Sequence, residues 1–143
     1  MKYLLDTNVL REMRPGGHKN VRIWLATIDD SELCISALTI KEIQEGIARE
    51  HARRPTQQTL DAQHRLDALV QAYRDRIIPI DREIAAEWGR LVGAKGKHND
   101  DMALAATARI RRLVLVTRNV ADFRGRDVAV LDPFRKLARI VTV

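Results

Sequence analysis

Five short apolar runs, each ending at a polar or acidic residue, alternate along the chain with stretches whose apolar residues recur at helical spacing. The runs are Tyr3-Leu4-Leu5 before Asp6, residues 33–36 from Leu33 to Ser36, Ile77-Ile78-Pro79-Ile80 before Asp81, Leu113 through Thr117, and Val128 through Leu131 before Asp132-Pro133. Continuous rather than alternating apolar character marks strands covered on both faces, as in a parallel sheet. After the first run, Thr7 and Asn8 turn the chain into a helix whose first apolar contacts are Val9 and Leu10. Pro15-Gly16-Gly17 is a loop, and Val21, Ile23, Trp24 and Leu25 form a short helix with Trp24 inward, ended by Asp29-Asp30-Ser31.

A longer helix is expected from Ala37 to about Arg53, with Ile40, Ile43 and Ile47 as its buried face. Gly46 inside it suggests a close approach by another backbone, since a mid-helix glycine costs about 1 kcal/mol relative to alanine. Arg53-Arg54-Pro55-Thr56 breaks that helix. Thr56 to about Arg74 resumes it, with Leu60, Leu66, Leu69, Val70 and Tyr73 toward the core. Between residues 49 and 76 this pair carries Arg49, His51, Arg53, Arg54, His64, Arg65, Arg74 and Arg76, an arm with a basic outer face. Asp81 caps the next helix, whose stripe is Ile84, Ala85, Trp88, Leu91 and Val92. Gly93, Gly96 and Lys97-His98-Asn99 read as a loop before an alanine-rich helix beginning near Asp101. Strands alternating with helices imply right-handed crossovers and a three-layer α/β/α sandwich around a central, mostly parallel five-stranded sheet.

Acids gather where such a sheet places its ligands. Asp6 ends the first strand, Asp101 starts a helix, Thr117 through Asp122 follows the fourth strand, and Glu42 reaches the same edge from its helix. Each has an ordinary explanation alone: a cap, a solvated helix residue, a charge favourable to the helix macrodipole. Together they repel one another unless a cation offsets them. Asp100 and Asp101 point roughly 100° apart on a helix, and Asp101 continues the apolar stripe of Leu104, Ala105 and Ala108. Asp100 is therefore expected at the rim, as an N-cap.

Composition narrows the choices. The 143 residues fit one domain spanning 1–143, and 45% hydrophobic with 31% charged residues describes a globular chain. No run approaches the ~18 apolar residues of a membrane helix. Asp6 interrupts the N-terminal apolar stretch too early for a signal peptide, so the expected location is cytoplasmic. The single Cys34 excludes an internal disulfide and an all-cysteine zinc site. Hard oxygen donors without a thiol or imidazole cluster point to Mg²⁺ or Mn²⁺. A net charge of +6 around an acidic hole suits a polyanionic substrate.

These stretches resemble the PIN-domain ribonucleases of the VapC toxin type. The likeness is carried by Leu4 through Val9, Ser36 to Glu42 with Gly46, Asp101 through Ala108, Leu115 through Phe123 and Asp132-Pro133-Phe134, in that order along the chain. The resemblance implies a metal-dependent endoribonuclease, the toxin of a toxin–antitoxin pair. Asp6, Glu42 and Asp101 would be its metal-binding acids, with Thr117 hydrogen-bonding a carboxylate. Many members carry a fourth acid where this chain has Asn119, and Asp122 is the nearest acid able to substitute. RNA as substrate, a cognate antitoxin covering the acidic site and a homodimer are also implied. Arg118, beside the acids, is expected to contact phosphate or pair with Asp122. Two other readings remain: a catalytically inactive PIN domain that binds RNA or a protein, and a small phosphotransferase using Asp6 as nucleophile. The second lacks its usual D-x-D pattern, because Asn8 stands at the second position.

Overall fold

A computed structural model describes residues 1–95 and 99–143. Gly96, Lys97 and His98, part of the expected loop, lie outside the described residues. Strands β1 (Tyr3–Leu5), β2 (Leu33–Ser36), β3 (Ile77–Ile78), β4 (Val114–Val116), β5 (Ala129–Leu131) and β6 (Ile140–Thr142) form one sheet in the order β3-β2-β1-β4-β5-β6. The first five are parallel, and β6 returns antiparallel to β5. The expected five-stranded sheet thus gains a sixth strand. From β1 the chain steps to β2 and β3 on one side, then crosses to β4 and β5 on the other. The switch point lies between β1 and β4, where Asp6 N–H donates to the Val116 carbonyl at 3.0 Å.

Helices α1 (Thr7–Leu10), α2 (Lys19–Ala26), α3 (Ala37–Arg53), α4 (Gln57–Ala72), α5 (Arg82–Lys95) and α6 (Asn99–Arg111) complete the fold. Two core clusters show why the sheet reads as continuously apolar. Leu4, Leu115 and Val130 pack with Ile84, Met102 and Ala105 on one face, whereas Tyr3, Leu5 and Val116 pack with Val21 and Trp24 on the other. Trp24 meets Tyr3 edge-on at 5.2 Å, as an inward tryptophan should. Every residue from Met102 to Ala108 in α6 is buried, because alanines let α5 lie close against it.

The arm departs from its apolar pattern. Ile40, Ile43 and Ile47 are only half-buried and Leu60 is exposed, since α3 and α4 lean on each other more than on the sheet. The reciprocal amide pair of Gln44 and Gln63, at 2.6 and 3.0 Å, helps to join them. Gly46 meets no close backbone: a Cβ built there has nothing within 4 Å. Arg76 does not belong to a basic outer face. It stacks on Tyr73 and donates to the Leu33 carbonyl at 2.9 Å, pinning the arm's base. In α5, Ala85 is exposed and Glu87 is buried, paired with Arg109 at 2.8 Å and Arg90 at 3.0 Å. Gly93 continues α5 instead of ending it.

Candidate active site

Asp6 is the best-anchored acid. The β1 ladder fixes its backbone, and its side chain caps α1 by accepting from Thr7 N–H at 2.7 Å. Its other oxygen accepts from Thr117 Oγ at 2.8 Å and from Asn8 Nδ2 at 3.1 Å. Thr117 is fully buried at the end of β4, and its hydroxyl also accepts from the backbone N–H of Asn119 at 3.1 Å. Asn8 closes the ring by accepting from Arg118 N–H at 3.2 Å. Neutral donors therefore converge on one nearly buried carboxylate.

Thr7 links this group to the helix side, donating its hydroxyl to Glu42 Oε2 at 3.2 Å. Glu42 sits half-buried on α3. Burial, the charge of Asp100, a hydrogen bond shared with Asp100 and the charge of Asp6 together push its carboxyl up to about 7, against the lowering effect of Thr7. Asp100 is consequently not a cap at the rim: α6 begins at Asn99, so Asp100 lies inside the first turn and faces Glu42. Asp101, in the same turn, is half-buried.

Asp122 and Asn119 are both exposed. Among the described residues, no hydrogen bond or ion pair ties the Asp122 carboxylate to Asp6, Glu42 or Arg118. Arg118 instead stacks on Phe134. Among the described residues, no three His, Cys, Asp or Glu side chains stand close enough together to hold a metal ion. The sequence pattern marks Thr7 and Asn8 as turn residues and gives neither a part in holding the acids. Their signal was the unbroken polar run Asp6-Thr7-Asn8 at a strand end, where each side chain can face a neighbouring strand or helix.

Beside the acids runs an open groove of about 1520 Å³ between the arm and α1. Ile43, Ile47, Leu66 and Leu69 line it with Arg11, Arg53 and Arg65, and Glu42 stands at its border with the site.

Residues 3–127 match the family described as PIN domain. The chain belongs to the PIN-domain family. Toxin FitB of Neisseria gonorrhoeae (strain ATCC 700825 / FA 1090) is 29% identical over 140 residues, covering 92% of this chain and 97% of FitB. Ribonuclease VapC14 of Mycobacterium tuberculosis (strain CDC 1551 / Oshkosh) is 38% identical over 58 residues, 40% of this chain and 56% of that protein. The crystal structure of FitAcB from Neisseria gonorrhoeae superposes with a TM-score of 0.76 at 30% identity, covering 93% of this chain and 99% of that one. The family resemblance carried by the sequence motifs is thereby borne out, with relatives named as a toxin and as a ribonuclease. In this PIN domain Asp6 lies at the switch point of the sheet with Glu42 joined to it through Thr7, and no helix among the described residues is long and apolar enough to cross a membrane.

Proposed function

We propose that this PIN domain is a Mg²⁺- or Mn²⁺-dependent endoribonuclease, the toxin half of a toxin–antitoxin pair. One observation carries the reading: a buried Asp6 held by neutral donors is linked through Thr7 to Glu42, an acid crowded by other acids. The donor set fits a hard divalent cation, being carboxylate and hydroxyl oxygens in a negative field. Asp6, Glu42 and Asp101, the acids of the family's motif, would hold it, although without the ion they do not stand close enough together to form a three-acid cluster. When bound, the ion supplies positive charge against the scissile phosphate and makes water a better nucleophile.

The chain's own residues do the rest. Thr117 and Asn8 keep Asp6 in one orientation, and Thr7 keeps Glu42 turned toward it. Glu42, held by Thr7 beside Asp6, orients the attacking water and takes its proton. The surrounding positive charge draws in the RNA backbone. The reading extends to a homodimer and to a cognate antitoxin whose apolar face lies along Ile43, Ile47, Leu66 and Leu69. A cationic side chain of that partner would reach the acids and block them.

The deciding experiment incubates purified protein with single-stranded RNA in EDTA, then with Mg²⁺ or Mn²⁺ restored. Cleavage should vanish in chelator and return with either ion. Undiminished cleavage in EDTA would remove the mechanism. Asn119, neutral where the resemblance implies an acid, favours a second reading as an inactive RNA- or protein-binding PIN domain. RNA binding without cleavage in any divalent ion would establish that one instead.

A further inference from the structure

Arg118 directly follows Thr117, the residue whose hydroxyl holds Asp6, and its backbone N–H is fixed by Asn8. Its side chain lies over an aromatic ring, with Cζ 3.7 Å from the centroid of Phe134. At that distance the guanidinium covers the face of the ring. Phe134 is held in turn. Its N–H donates to Asp132 Oδ1 at 3.0 Å, and its carbonyl accepts from Asn20 Nδ2 at 2.7 Å. His18 closes on the ring at 5.0 Å between centroids, inclined at 61°.

Arg118 is nevertheless exposed, so the guanidinium face opposite Phe134 is turned to solvent. Among the described residues, no carboxylate pairs with it. An exposed arginine ordinarily samples many rotamers. This one is a flat, charged surface laid on a ring, its backbone one residue beyond the hydroxyl that holds Asp6. A phosphate contact is carried largely by charge, which a lysine also supplies as a point charge, without the arginine's planar fork. A plane held on a ring adds something different, a surface on which a nucleobase can stack.

We propose that Arg118, backed by Phe134, is a nucleobase platform: a base of single-stranded RNA beside the scissile phosphate stacks on the open face of the guanidinium. The proposal rests on the ribonuclease reading and deepens it, because it makes the substrate single-stranded at that position. A duplex keeps its bases within the helix and could not present one.

The test measures binding in EDTA, so that cleavage does not intervene. A mixed-sequence single-stranded RNA oligonucleotide is compared with an abasic strand of equal length, using the native chain, Arg118→Lys and Arg118→Ala. The native protein should prefer the base-bearing strand by about tenfold, the scale of one stacking contact. Arg118→Lys should lose that preference while keeping its affinity for the abasic strand and its melting temperature. Arg118→Ala should lose the preference and also bind the abasic strand more weakly. If Arg118→Lys retains the native preference, the arginine supplies charge alone and the platform is wrong. Native-like binding of both strands by Arg118→Ala would overturn it equally. Both results leave the ribonuclease reading standing if the native protein cleaves RNA with Mn²⁺. A native protein that neither binds nor cleaves RNA overturns the two together.

Discussion

On the strand side of the site, both carboxylate oxygens of Asp6 accept hydrogen bonds from neutral donors, whereas on the helix side Glu42 shares a hydrogen bond with another acid. The difference follows from what holds each residue. Asp6 and Thr117 end adjacent strands whose ladder bonds and fully buried neighbours, Leu5 and Val116, leave them little freedom. Glu42 stands on a helix that borders an open groove, and Asp100 on the first turn of α6. An acid ringed by neutral donors meets no like charge in them. An acid facing an acid must bind a proton or a cation. Sensitivity to metal and to pH therefore belongs to the helix side, and sensitivity to packing belongs to the strand side.

The largest expected effect comes from removing one helix-side acid. Asp101→Asn should lower RNA cleavage by about a hundredfold or more, the scale of losing a group that supports transition-state charge. Its circular dichroism spectrum should stay native, since the amide keeps the size of the side chain. Asp100→Asn should keep most activity, and in metal-free protein it should move the pH dependence of melting to lower pH, because the charge of Asp100 helps to raise Glu42. Assayed side by side, an inactive Asp100→Asn beside an active Asp101→Asn would exchange the roles assigned to these two residues.

Thr117→Val attacks the strand side. It removes a donor from Asp6 and an acceptor from the Asn119 N–H and Asn8 Nδ2 at a buried point. Stability should fall by about 1–3 kcal/mol, the range for stranding buried polar groups. Urea denaturation measures this, and native-like stability in the variant would mean that water or Asn8 replaces the hydroxyl without loss.

A smaller, pH-dependent effect separates the two sides in metal-free protein. The Glu42 carboxyl rises from an ordinary 4.5 to about 7 in the folded state. Between those values the folded chain holds a proton that the unfolded chain has released, so stability falls as pH rises through the window. Glu42→Gln cannot release that proton. Its melting temperature should match the native protein near pH 4.5 and exceed it increasingly toward pH 7. A difference that stays flat with pH would return Glu42 to an ordinary solvated helix position.

The same division explains what was legible in the sequence. Leu113 through Val116 announced a strand because burial on both faces leaves no polar position in it. The polar residues just beyond such runs, Asp6 and Thr117, were placed with them. β6 was not legible: Ile140, Val141 and Thr142 are exposed, and only pairing with β5 makes them a strand. Asp100 escaped for a related reason. Its direction depends on where α6 starts, and a helix beginning at Asn99 turns it toward Glu42 rather than the rim. Glu87 occupied a position on the buried stripe of α5, but its burial depends on Arg109 from α6, a partner that periodicity alone does not supply.

The smallest effect expected here is a gain, and it sharpens the contrast by stiffening the helix side. Gly46 lies inside α3, one turn beyond Glu42, and borders the groove without a close neighbour. A methyl group there meets nothing within 4 Å, so Gly46→Ala adds no clash. It removes the backbone freedom that a glycine contributes to the unfolded chain, which should raise stability by about 0.5–1 kcal/mol. Because the methyl touches neither Glu42 nor Thr7, the pH dependence of melting should keep its native shape and cleavage its native rate. Denaturation curves at pH 5 and pH 7.5 would show a similar gain at each. A loss of stability would mean that the groove closes around Gly46 in solution, bringing α4 or α1 against it. The close backbone approach suggested by the glycine's position in the helix would then be real, and the helix side of the site would be less open than its groove implies.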